Sequence, residues 1–361
     1  MDILLLDALV PEATAWLQTH HRVHFRPELV GDLPALKKAG RRTDGIVFPR
    51  QTVVTSALLN CLPNLKALGR LHVGNDNLDL KTCDERGISV IHSNSSNVRS
   101  NAEFLLTALL LLYRRGVVSA LLGNRYPTTR LGRELSGSTV GIIGLAPAGQ
   151  ALACMLRALG VRLIGYDPAV HYSAPLWAEL GIEPVSLPDL LGMANAVSVQ
   201  MLYATRFNGF INSRLLSHCQ PGQIWVSLSH SNLFEPAALA AALMDGRIDA
   251  CVIDEVEPDF LGPASPLHGI KNLTVTPRLG SHTHEARLRS SWYVAHRLHD
   301  TLMPASASGG ASAGASVLAG NSFFPGDPVA CAPGAVCKAP PALGLGVSAH
   351  SVAVSGHTRV G

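Results

Sequence analysis

The chain has 361 residues, 47% hydrophobic and only 15% charged, with a formal net charge of +3. That length holds two domains with a sizeable core, and so small a net charge excludes the electrostatic footprint of a nucleic-acid or membrane-surface protein. Seven cysteines (Cys61, Cys83, Cys154, Cys219, Cys251, Cys331 and Cys337) show no zinc-ligand spacing, and several fall in predicted strands or helices. They read as reduced core thiols of a cytoplasmic protein, and no metal site is expected.

The opening stretch MDILLLDALVPEA meets Asp2 and Asp7 at once and has no basic leader, so it reads as a first strand, Asp2 to Leu6. Further short apolar strands are expected at Gly45 to Phe48, Leu65 to Leu68 and Ile88 to Ile91. Helical stretches separate them, and this alternation implies a small parallel α/β domain. Asn101 to Arg115 follows as a helix that is apolar on nearly every side. Its longest apolar run, Phe104 to Tyr113, is well under the roughly 18 residues of a membrane span. It is expected to be buried, in a core or against a second subunit.

Residues 116 to 137 are loop-rich, and the second α/β unit starts at Thr139. Thr139 to Ile143 has the branched, apolar character of a buried parallel strand. Gly144, Leu145, Ala146, Pro147, Ala148 and Gly149 make a tight turn, and Gln150 to Leu159 carries helix formers with apolar spacing. A second strand, Val161 to Tyr166, ends on Asp167 and is followed by Pro168. This layout binds a dinucleotide: the helix N-terminus offers N–H groups to a pyrophosphate, and an acidic residue on the next strand accepts from the ribose 2′-OH. Asp167 repels a 2′-phosphate, so NAD is the expected cofactor. Ala146 stands where the pattern has its second glycine. The same elements without a ligand are an ordinary strand–helix–strand crossover, and Asp167 at its position tips the reading toward the cofactor.

Later strands are expected at Ala196 to Val199, Gln223 to Ser227, Ala250 to Ile253 and Leu273 to Thr276. Helices are expected at Leu187 to Met193, Ser213 to His218, Glu235 to Met244 and Glu285 to Leu302. After Met303 the composition turns to Ala, Gly, Ser, Pro and Val, with only Asp327, Lys338 and Arg359 charged. Residues 304 to 361 therefore read as a low-complexity, disordered tail.

Four further stretches complete the pattern: HVGNDNLDL (72–80), RGISVIHSNSSNVRSNAEF (86–104), INSRLLSHCQPGQIWVSLSHSNLFEPAAL (211–239) and NLTVTPRLGSHTHEARLR (272–289). With the nucleotide unit they make residues 1 to 303 resemble the D-isomer-specific 2-hydroxyacid dehydrogenases, the family of phosphoglycerate, erythronate-phosphate and glyoxylate/hydroxypyruvate enzymes. The resemblance implies a Rossmann-type doubly wound parallel-sheet domain, 99–284, inserted into a smaller flavodoxin-like α/β substrate domain, 1–98 plus 285–303. It also implies a homodimer through the 101–115 helix region and a small 2-oxo or 2-hydroxy acid as substrate. In that family a histidine moves the hydroxyl proton, a carboxylate orients it, and an arginine binds the substrate carboxylate.

Carried over residue by residue, the resemblance puts the family's arginine position on His230 and its histidine position on Arg278, while Glu257 keeps the carboxylate before Pro258. The segment from Asp254 to Glu257 is two residues shorter than usual, which bears on whether Glu257 reaches the same point. The nicotinamide side falls on Gln200 and Met201, where an H-x-P is common, and on Leu228 and Asp254. The substrate side falls on Arg50, Val73, Gly74, Asn75 and Asn97. Gly74, Asp76 and Asn97 fit the pattern, whereas Ser95 replaces a loop glycine. His282 and His284 lie near Arg278 but read first as solvent-facing residues of a helix start, and Arg50 alone is also what a surface arginine looks like.

Two functions remain open. In one, His230 and Arg278 have traded places and still serve one substrate. In the other, the catalytic set has decayed and the fold binds NAD(H) for regulation or assembly.

Overall fold

The computed structural model describes residues 1–72, 77–93, 95–114, 131–202 and 204–303. The expected tail lies outside the described residues. Two wholly parallel sheets are built from the strand–helix alternation. The first joins β1 (Asp2–Leu5), β2 (Arg22–Phe25), β3 (Gly45–Val47), β4 (Ala67–Arg70) and β5 (Ser89–His92) in the order β2-β1-β3-β4-β5. This is the flavodoxin-like order.

The second sheet holds β6 (Thr139–Ile143), β7 (Arg162–Tyr166), β8 (Glu183–Pro184), β9 (Ala196–Val199), β10 (Gln223–Ser227), β11 (Ile248–Asp254) and β12 (Leu273–Thr276). Its order, β12-β11-β10-β9-β6-β7-β8, reverses direction at β6, the Rossmann switch point where ligands bind beyond the strand ends. The near-continuous burial of β6, β9, β10 and β11 explains why they read as unbroken apolar runs.

Some expected boundaries move. The strand expected at Leu65–Leu68 runs Ala67–Arg70, the one at Ile88–Ile91 runs Ser89–His92, and the helix expected from Asn101 starts at Val98. The cofactor-loop helix starts at Pro147 rather than Gln150, because Pro is pre-organised for a first helical position. The edge strand β2 had no apolar signal: three of its four residues are exposed.

The final helix, His284–Leu302, returns to the first sheet. Val294, Ala295, Leu298 and Leu302 enter one core with Ile3, Leu5, Leu17, Val47, Ala67 and Ile91. The helix Val98–Tyr113 crosses instead to the second sheet, where Ala102, Leu105 and Leu109 share a core with Val140, Leu152 and Val226. Thus the chain crosses between the sheets twice, each time leading into a helix that packs on the sheet it reaches.

No helix among the described residues is long and apolar enough to cross a membrane. The described cysteines Cys61, Cys83, Cys154, Cys219 and Cys251 are free thiols. Burial pushes those of Cys219 and Cys251 up to about 12, which makes them inert core residues.

Candidate active site

The nucleotide turn is built by close approach. Gly144 sits at φ +93°, and a Cβ there would lie 2.7 Å from the Met201 backbone nitrogen and 2.8 Å from its Cα. Only glycine meets both conditions. Ala146, the departure from the pattern, has φ −54° and ψ 156°, a conformation open to any residue. The first turn of Pro147–Ala158 leaves N–H groups without a carbonyl four residues back, the usual cradle for a phosphate.

Asp167 is held at the rim of this turn. One carboxylate oxygen accepts from the Leu145 N–H at 2.6 Å and the other from the Ala169 N–H at 2.7 Å. Beside it opens a cavity of about 660 Å³ lined by Tyr166, Asp167, Pro168, His171, Tyr172 and Trp177. An anionic rim, an apolar floor and a turn with no room for a Cβ fit the adenosine and pyrophosphate of NAD. The paired bonds orient Asp167 while leaving lone pairs for a ribose hydroxyl.

Two residues expected at the cofactor spend their polar atoms inside the protein. Gln200 is buried; it accepts from the Ser198 hydroxyl at 2.6 Å and donates weakly to Gly144 O at 3.4 Å. Asp254, also buried, accepts from the Leu279 and Gly280 N–H groups at 2.7 and 2.8 Å and from the Thr276 hydroxyl at 2.6 Å. These bonds pin the β12 loop to β11 and so fix the stalk from which Arg278 projects. Met201 touches the turn through its backbone, and Leu228 continues β10, its N–H donating to Val199 O.

The ends of β10, β11 and β12 gather the charged set. His230 caps the short helical turn Ser231–Leu233, its Nδ1 accepting from the Asn232 N–H at 3.2 Å. Its Nε2 lies 2.9 Å from Glu257 Oε1. Because Nδ1 accepts, the proton of the neutral ring sits on Nε2 and points at Glu257. The Glu257 N–H in turn donates to the Ser231 hydroxyl at 3.1 Å. The shortened segment therefore still delivers Glu257 to a histidine, the one carried on β10 rather than on β12.

Arg278 has a different partner, Glu255, which the sequence did not single out. Its guanidinium lies 3.0 Å from Glu255 Oε2, and Arg50 pairs with Oε1 of the same carboxylate. Glu255 and Arg278 have φ of +72° and +57°, the two positive values at non-glycine residues among those described. Each such backbone costs roughly 1–2 kcal/mol, so the surrounding bonds must hold it.

Arg50 belongs to the first sheet's side of the cleft, following β3. Asn77 donates to the Arg50 carbonyl, and the buried Arg70 braces the same loop through Asn77 and through Thr52 O at 2.7 Å. Burial lowers the Arg70 pKa, with neighbouring Arg50 adding to it, yet a guanidinium retains its charge. Asn97 precedes the helix Val98–Tyr113 at its half-buried N-cap. Val73, Gly74 and Asn75 lie outside the described residues. His282 and His284 are exposed. Among the described residues no cluster of three or more His, Cys, Asp or Glu is arranged for a metal.

A flavodoxin-like sheet and a Rossmann sheet, with a dinucleotide turn at one strand end and a His–Glu pair at another, define a nucleotide-dependent dehydrogenase. Comparison with known proteins makes the class specific. Residues 110–280 match the model of the D-isomer specific 2-hydroxyacid dehydrogenase NAD binding domain. The chain is 30% identical over 304 residues to an (S)-sulfolactate dehydrogenase of Chromohalobacter salexigens, covering 83% of this chain and 98% of that one. It is 33% identical over 302 residues to a D-3-phosphoglycerate dehydrogenase of Mycobacterium bovis, covering 81% of this chain but only 55% of that longer protein. The solved structure of a D-2-hydroxyisocaproate dehydrogenase superposes with a TM-score of 0.73 at 22% identity, over 85% of this chain and 98% of that one. The chain belongs to the D-isomer-specific 2-hydroxyacid dehydrogenase family, whose members are NAD-dependent oxidoreductases acting on CH–OH donors.

Proposed function

We propose that this protein interconverts a small 2-oxo acid and its 2-hydroxy acid with NAD(H), using the exchanged pair. The observation that carries this reading is the 2.9 Å contact between His230 and Glu257. A histidine backed by a carboxylate is what proton transfer to a carbonyl oxygen needs, and the pair is present although its strand has changed. When bound, NAD(H) supplies or takes up the hydride at the carbon that bears the reacting oxygen. Arg278 binds the substrate carboxylate, and Glu257 stabilises the charged form of His230. To act as the acid, His230 must also carry a proton on Nδ1, so that nitrogen has to turn from the Asn232 N–H toward the substrate oxygen while Nε2–H stays on Glu257; catalytic hydrogen bonds often align only in the substrate complex.

The division into a substrate domain (1–98 plus 285–303) and a nucleotide domain (99–284) is part of the same proposal, as are a cytoplasmic location and a homodimer. Leu110, 41% exposed, and the half-buried Leu111 lie on the side of Val98–Tyr113 that its own core leaves uncovered.

A second reading, an NAD(H)-binding module without turnover, is favoured by the satisfaction of both His230 ring nitrogens within the protein. NADH oxidation against a panel of 2-oxo acids, beside calorimetric titration of NADH alone, separates the two. The panel should include acids with a second anionic group, since sulfolactate and phosphoglycerate each carry one. Turnover establishes the enzyme, and binding without turnover establishes the module.

A further inference from the structure

Glu255 stands at the centre of the cleft with no role in the reaction described above. Its carboxylate is divided between two guanidinium groups, Arg278 on the nucleotide side and Arg50 on the first-sheet side. Neither arginine has another carboxylate partner among the described ion pairs. Arg278 is about one-quarter exposed at 27%, while Glu255 stands at 39%, so water and small anions reach the site. The arrangement is built rather than incidental: Glu255 and Arg278 are the two non-glycine residues with left-handed backbone, and both N–H groups donate to the same carbonyl, Thr276 O, at 2.8 and 2.9 Å. On the cleft's other wall, Asn77 and the buried Arg70 fix the loop that presents Arg50.

We propose that Glu255 is the resident anion of the substrate cleft, a built-in carboxylate that an incoming substrate carboxylate must displace from Arg278. Displacement also frees the other half of the bridge, so anion binding and release of the Arg50 contact between the two walls are one event. Glu255 is in this sense a positioning and selectivity residue: it keeps Arg278 aimed into the cleft and rejects ligands too weakly anionic to compete. The proposal rests on Arg278 as the carboxylate-binding group, and not on turnover.

The test uses oxalate, a small dianion, as the probe, titrated calorimetrically into the full chain saturated with NADH. Ion pairs at this exposure are worth up to roughly 1 kcal/mol, so Glu255→Gln should tighten oxalate binding by about 2- to 5-fold. NADH affinity should stay within error and the melting temperature should fall by no more than a few degrees, which separates the effect from unfolding. In the Glu255→Gln background, Arg278→Ala should remove the gain. Affinity unchanged or weakened in Glu255→Gln, including no detectable binding by either protein, overturns the proposal. So does a gain that survives Arg278→Ala. A wild type that binds oxalate more weakly than Glu255→Gln yet turns over no 2-oxo acid would leave the resident anion standing and remove only the enzymatic reading.

Discussion

The two ligand-facing ends of the second sheet are built on opposite principles. At the β6–β7 end, the cofactor turn is local: Gly144 to Gly149 and Asp167 lie within 24 residues, joined by one helix. At the β10–β12 end, His230, Glu255, Glu257 and Arg278 come from three strand ends and meet Arg50 from the other sheet. The first end works through backbone geometry, and backbone tolerates one change such as Ala146. The second forms its acid–base pairs through side chains on adjacent strand ends that reach across to one another.

The largest expected effect tests the second end. His230→Ala should lower kcat on the order of 100- to 10,000-fold, the usual cost of losing a general acid. NADH affinity, measured by fluorescence titration, should not change. Activity indifferent to this substitution would remove His230 from the reaction and leave Glu257 without its proposed task.

Breaking the first end should do the reverse. Gly144→Val forces a side chain into the Met201 backbone at a φ that valine avoids. Strain of roughly 1–3 kcal/mol should weaken NADH binding about 10-fold or more and lower the melting temperature by several degrees. A variant that binds NADH as the parent does would show that the turn is not the phosphate cradle.

A finer contrast lies within the cofactor end itself. Asp167→Ala removes a charged acceptor, and NADH should bind about 10-fold more weakly while NADPH, no longer repelled, should bind more tightly. The ratio of the two affinities, from parallel titrations, reports whether Asp167 reads the 2′-OH; an unchanged ratio would refute that role.

The smallest effect concerns the first sheet. Trp16, His20, His21, Trp292, His296 and His299 pack together where the helix Pro11–His20 meets the last helix, with His21 Nε2 3.1 Å from His299 Nδ1. Burial lowers the pKa of His21, reinforced by His299, and burial likewise lowers that of His296. A lowered folded pKa means that the unfolded chain binds protons first, so stability is full above about pH 6.5 and declines as pH falls toward the folded values. The melting temperature should drop by roughly 2–5 °C between pH 7.5 and 5.5, and His21→Gln should flatten that slope. A flat wild-type profile would show that the cluster accommodates its charge.

How far each region could be read in the sequence follows from the range of its interactions. The strand runs of β6, β9, β10 and β11 were legible because parallel strands covered on both faces must be apolar throughout. The cofactor turn was legible because glycine, proline and aspartate there act through their own backbone or through neighbours a few residues away. The edge strand β2 was not, since an exposed edge imposes little pattern on its side chains. Glu255 was not either: a glutamate after a strand has no signature until its partners are in place.

Sequence alone thus determined the two-sheet α/β class and the nucleotide turn with Asp167 beside it, and it singled out His230, Glu257 and Arg278 at the ends of β10, β11 and β12. Tertiary structure decided which acid each base meets. Glu257 pairs with His230 and Glu255 with Arg278 and Arg50 because the β10, β11 and β12 ends lie side by side and the bonds of Asp254 fix the loop between them. Residues 205 positions apart, as Arg50 and Glu255 are, acquire a common task only when the chain has closed around the cleft.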